Sequence, residues 1–141
     1  MSIIRYTEMM KVAIVHDWLY GGGVEKDVEE LHAVYPSAPI YTSYCSREWR
    51  VRLDGKVVTG YLNRWPFSSL RKFLPLLRMW WFSGLNLSEF DVIISSSGNG
   101  EARFARAQSG IHISYTHTPP HFYWRKYEQY LKTPGFKPAW L

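Results

Sequence analysis

Four stretches of the chain gather side chains capable of chemistry. The first runs His16-Asp17-Trp18-Leu19-Tyr20-Gly21-Gly22-Gly23-Val24-Glu25-Lys26. Glycines directly before a helix let the backbone approach an anion, with free amides and the positive end of the helix dipole aimed at it. The stretch is neither a P-loop, since no Gly-Lys-Ser/Thr follows at the required spacing, nor a G-x-G-x-x-G dinucleotide fingerprint. Glycines that only turn the chain would give the same pattern. The second stretch, Ser95-Ser96-Ser97-Gly98-Asn99-Gly100, lacks the Gly-x-Ser-x-Gly elbow and so argues against a serine nucleophile. Its hydroxyls either contact a ligand or cap the following helix. Asp17, Glu25 and Ser97, drawn from these two stretches, are candidates for contact with an acceptor or for structure alone.

The third stretch is Tyr115-Thr116-His117-Thr118-Pro119-Pro120-His121. His117 ends a strand on the side where ligands gather. His117 and His121 have the i, i+4 spacing of a metal pair, but Pro119 and Pro120 forbid one regular helix joining them. With one cysteine, Cys45, there is neither an internal disulfide nor a cysteine-rich zinc site, and no metal is expected. The fourth stretch, Ser69 to Phe82, places Leu70, Phe73, Leu74, Leu77, Trp80 and Trp81 on one helical face. Arg71 and Arg78 lie to its side and Lys72 opposite, and Pro75 either kinks the helix or marks its real start. Two readings stand: a helix covering the sheet, or an interfacial helix whose Arg71, Lys72, Arg78, Trp80 and Trp81 meet an anionic membrane.

The elements that would position these residues follow from the hydropathy pattern. Short apolar runs at Val12–Val15 and Asp91–Ser95 read as buried strands. Ala38–Thr42, Lys56–Thr59 and Ile111–Tyr115 read as further strands. Between them, Val24, Val28, Leu31 and Val34 or Tyr35 recur at helical spacing, with Glu25, Lys26, Asp27, Glu29 and Glu30 on the wet side and Pro36 ending the helix. Arg47–Leu53 is a short helix, a helix capped by Ser68 or Ser69 runs toward Phe82, a brief one passes Phe104, and an aromatic-rich one spans His121–Leu131. Alternating strands and helices predict an α/β fold, a Rossmann-like, mainly parallel sheet with helices on both faces. Ligands of such sheets gather beyond the carboxyl ends of the strands, where the first three stretches converge.

At 141 residues the chain is expected to form one domain over residues 11–141, with residues 1–10 an extension. No signal peptide is read in the first ten residues. Seventeen basic residues against twelve acidic give a formal charge of +5, and seven tryptophans and ten tyrosines accompany it. Such a chain suits nucleic acid, an anionic membrane or phosphorylated small molecules. No nucleic-acid module is visible, so nucleic acid is not expected as a partner. From Arg64 to Gly84 there are four cations and no acid.

The ordered set Gly21-Gly22-Gly23-Val24-Glu25-Lys26, Leu31-His32, Pro36-Ser37-Ala38-Pro39-Ile40-Tyr41, Phe90-Asp91-Val92-Ile93-Ile94-Ser95-Ser96-Ser97 and Tyr115-Thr116-His117-Thr118-Pro119 resembles the amino-terminal domain of family-4 glycosyltransferases of the GT-B fold, over about residues 11 to 130. The resemblance implies retaining transfer of a sugar from a nucleotide-sugar, without an essential metal or other cofactor. It places the donor diphosphate at Gly21, Gly22 and Gly23 and the catalytic histidine, beside the transferred sugar, at His117. It also implies that this domain contacts the acceptor, often a lipid-linked one or a glycan, and that a second, donor-binding domain or subunit completes the site. The sequence ends at Leu141, before such a domain. The chain is therefore expected to be inactive alone, cytoplasmic or peripheral at the inner membrane face, and able to form a homodimer through an exposed interdomain face. The alternative is a non-catalytic module for an anionic membrane or a phosphorylated lipid.

Overall fold

A computed structural model describes residues 10–70, 74–98 and 100–117. Five parallel strands form one sheet in the order β3-β2-β1-β4-β5: β1 is Val12–His16, β2 Ile40–Thr42, β3 Val57–Thr59, β4 Val92–Ser97 and β5 Ile111–Thr116. The helices are α1 (Glu25–Val34), α2 (Arg47–Arg52), α3 (Phe67–Leu70) and α4 (Pro75–Ser83), with 3-10 turns at Tyr61–Asn63 and Ala102–Phe104. This is the expected Rossmann-like α/β architecture. Chain order reverses across β1: β2 and β3 lie to one side, β4 and β5 to the other. The crevice where loops diverge therefore opens between β1 and β4.

The period of two along the central strands supplies both cores. Val12 and Ile14 of β1, with Ile40 and Ile94, pack on one face against Val28 of α1 and Trp49 of α2. Ala13, Val15 and Ile93 face the other way, against Phe82 of α4, Leu87, Phe90 and Ala102. All five residues of β1 are buried, which explains why it reads as an unbroken apolar run rather than an alternating one.

Several expectations change in detail. The single helix expected toward Phe82 is two helices, because Pro75 takes the first position of α4, where its missing N–H costs nothing. Its cap residue is Leu74, which makes no side-chain capping bond, so Ser68 and Ser69 do not cap it. The apolar face of α4 is also rotated from expectation. Phe82 and Arg78 point inward, whereas Leu76 and Trp80, one turn apart, are each 69% exposed. On α1, Glu25 is buried rather than wet, and Val34 is exposed while Tyr35 is partly buried. Among the described residues no helix covers the edge strand: Ile111, Ile113 and Tyr115 of β5 are all more than half exposed. The expected helix at 121–131, with His121, and the cations Arg71 and Lys72 lie outside the described residues, as does the extension before Met10.

Candidate functional site

Strand register brings the polar residues together. β1 pairs His16 with Ser96 of β4, and β4 in turn pairs Ser96 with Tyr115 and Ser97 with Thr116 of β5. The last residues of three adjacent strands thus end at one level, beside the glycine loop that leads into α1. His117 follows directly, its amide donating to the Ser97 carbonyl at 3.2 Å.

Asp17, the first residue beyond β1, is 2% exposed and organises the loop after β4. Its Oδ2 accepts hydrogen bonds from Ser97 Oγ at 3.1 Å and from the amides of Gly98 at 2.9 Å and Gly100 at 3.4 Å. Its Oδ1 accepts from the Ala102 amide at 2.7 Å, at the start of the 3-10 turn. Its own carbonyl accepts from the Ser43 amide and hydroxyl. A buried carboxylate is tolerated when donors surround it in this way. The side chains of Asp17 and Ser97 are both buried and engaged with the protein.

Ser96 lies between two imidazoles. Its carbonyl accepts the Nδ1–H of His16 at 2.7 Å, which fixes that ring in the tautomer whose Nε2 is an acceptor. Burial pushes the His16 pKa below its ordinary value, outweighing the opposing pull of Asp17, the Ser96 carbonyl and Glu25. The Ser96 hydroxyl meets Nε2 of His117 at 2.9 Å, and Nδ1 of the same ring meets Oδ2 of Asp27 at 3.2 Å. The Tyr115 ring stands edge-on to the His117 ring, with centroids 4.8 Å apart.

Asp27, His117 and Ser96 are the residue types of a nucleophilic triad, joined in the order such a triad needs. Two observations exclude that chemistry. The Ser96 side chain is fully buried, so no substrate carbonyl reaches Oγ. The amides at the turn after β4, those of Gly98, Gly100 and Ala102, point at Asp17 and are unavailable as an oxyanion hole.

The glycine loop is open on its outer side. Gly21, Gly22 and Gly23 are exposed, and Gly21 has φ +138°, a conformation that side chains resist. Its inner side is closed by Glu25, which is 5% exposed and folds back so far that a Cβ on Gly22 would lie 2.6 Å from its Oε2. Glu25 and Asp27 both stand in the first turn of α1, where negative charge is favourable. An arriving phosphate would therefore meet a carboxylate where the glycine pattern suggests an open anion seat.

Arg78, considered above as a membrane contact, points into the fold. It is 4% exposed, pairs with Glu101 Oε1 at 2.7 Å, and stacks over Trp18 at 4.7 Å. Trp81 is partly buried against Gly60; Trp80 and Trp65 are exposed, the latter by 82%. A cavity of about 570 Å³, lined by Lys11, Tyr35, Pro36, Pro39 and Phe90 among others, lies at the amino ends of the strands, the end opposite the polar cluster. Among the described residues there is no cluster of three or more His, Cys, Asp or Glu that could hold a metal, and no helix long and apolar enough to cross a membrane.

Three members of the cluster carry little signal in the chain. His16 and Ser96 are visible only as strand ends, and their meeting depends on register. Asp27 sits on the wet face of α1, and no spacing connects it with His117. Comparisons with protein-family models, curated proteins and solved structures find no match to this chain.

Proposed function

We propose that this chain is the acceptor-side domain, or the acceptor-side subunit, of a retaining glycosyltransferase that moves a sugar from a nucleotide-sugar to a lipid-linked or glycan acceptor. One observation carries the reading: the glycine-loop helix, the end of β4 and His117 meet at the switch point of a Rossmann-like sheet, joined through Asp27 and Ser96. In this reading His117 contacts a sugar hydroxyl. The amides of Gly21 to Gly23 face the donor diphosphate, where fixed donors stabilise charge as the glycosidic bond breaks. Glu25 must turn away, or hydrogen-bond a hydroxyl, when the donor enters. In this reading the cations that balance the diphosphate come from the donor-binding half, since the acids Glu25 and Asp27 stand at the glycine loop and at His117.

The test is reconstitution of the chain with the donor-binding domain of a family-4 glycosyltransferase, followed by assay of sugar transfer to lipid-linked and glycan acceptors. Transfer that disappears with His117→Ala supports the reading. Absence of transfer to every acceptor, together with absence of nucleotide-diphosphate binding, counts against it.

A second reading has its own observation. Leu76 and Trp80 form an exposed apolar step on α4, and Trp65 is exposed nearby in the chain, within the stretch that carries cations and no acid. Contact with an anionic membrane through these side chains is compatible with a lipid-linked acceptor. Flotation with anionic vesicles should weaken when Trp65 and Trp80 are both replaced by serine. Equal flotation of the variant and the parent chain would remove the membrane reading.

A further inference from the structure

Both ring nitrogens of His117 are engaged, and by groups from different elements. Nδ1 faces a carboxylate on α1, and Nε2 faces a hydroxyl on β4. A carboxylate only accepts, so its closeness to Nδ1 favours a proton on that nitrogen; a neutral ring then has a lone pair on Nε2. The ring edge is braced by Tyr115. The partners differ in what a ligand could displace. Asp27 has a side chain 41% exposed, whereas Ser96 is entirely buried and His117 is 14% exposed. Asp27 also belongs to the helix that begins at the glycine loop, so the loop and the histidine share one rigid element.

We infer that Asp27 is a positioning residue for His117, holding its ring in the Nδ1–H tautomer so that Nε2 is the acceptor for the buried Ser96 hydroxyl. The inference rests on the proposed reading only for the role of His117 at the site. It differs from a bridge that merely staples α1 to β5, because a staple works equally well with either tautomer. An orienting carboxylate does not. An asparagine at position 27 can turn either its oxygen or its N–H₂ toward Nδ1, whereas a lysine can only donate and so drives the ring proton to Nε2. Other charged or titratable neighbours are not equivalent: His16 donates its Nδ1–H to the Ser96 carbonyl, Glu25 folds over Gly22, and Asp17 accepts from the turn after β4.

The test uses the full chain labelled with ¹⁵N and long-range imidazole spectra, in which protonated and bare ring nitrogens are distinguishable. The parent chain should show His117 protonated on Nδ1. Asp27→Lys should move the proton to Nε2, Asp27→Glu should keep the parent pattern, and Ser96→Ala should leave it unchanged. An unaltered tautomer in Asp27→Lys, or a flip in Ser96→Ala, overturns the inference. Should Asp27→Lys fail to give a folded chain by circular dichroism, Asp27→Ala decides it: an Nδ1–H ring retained without any partner at position 27 overturns it too. Methyl α-glucopyranoside serves as a separate probe of the sugar-binding reading: a parent chain whose His117 resonances are unmoved by it counts against that reading, while the tautomer result alone decides the role of Asp27.

Discussion

Asp17 and His117 end up two strands apart at the same edge of the sheet, yet they are held in opposite ways. Asp17 is interior: one carboxylate gathers four donors from the segment between Ser97 and Ala102. His117 is at the rim: its two nitrogens each make one contact, to Asp27 and Ser96. The first arrangement fixes a loop, because removing the carboxylate strands several buried donors at once. The second sets the orientation of a ring whose side chain is 14% exposed. Polar residues at the ends of strands thus differ in burial and in the number of partners that hold them.

The largest effect expected on this contrast comes from the neighbouring interior ion pair. Arg78→Ala leaves Glu101 buried without its guanidinium and should destabilise the fold by about 3–5 kcal/mol, seen as a lower urea midpoint at unchanged m-value. Asp17→Ala should cost about 3 kcal/mol, since at least Ser97 Oγ and the Ala102 amide lose a buried acceptor. If either substitution is silent in denaturation, the interior assignment fails.

The next effect is a pH dependence. The folded-state pKa of His16 is lowered by burial, so the folded chain binds this proton less readily than the unfolded one. Its stabilising contribution is complete above the ordinary histidine value of 6.5 and is lost as pH falls from there through the lowered folded value. His112, also lowered by burial, acts in the same direction but is more solvent-screened. Denaturation series across this range should show stability falling with acidity, and His16→Asn should flatten the slope. A slope of the opposite sign would contradict the burial of a neutral ring.

At the rim the effect on stability should be the smallest. His117→Ala should cost about 1–2 kcal/mol, since one buried hydroxyl, that of Ser96, loses its partner, while removing sugar transfer in the reconstituted enzyme. A loss of stability as large as that of Asp17→Ala would erase the distinction between the two regions.

Much of the fold was legible because local pattern and global role agree. Val12–Val15 reads as buried and is, and Val28 and Leu31 turn inward on α1 as their spacing implies. Pro75 marks a helix start by its own covalent geometry. Failures occurred where a side chain's fate depends on a distant partner. Glu25 looks solvated until the glycine loop folds beside it, and Arg78 looks like a surface cation until Glu101 and Trp18 enclose it. The exposure of β5 could not be read either, since a strand's cover depends on what packs against it.

By itself, then, the order of residues determined the strands, most helix boundaries, the parallel α/β class and the end of the sheet at which polar groups collect. These depend on periodicity, proline and glycine, which act within a few residues. Only the tertiary structure decided which of those polar groups are sealed inside and which keep some exposure. That choice rests on register across β1, β4 and β5 and on the reach of α1 toward His117, contacts between residues far apart in the chain that no local pattern encodes.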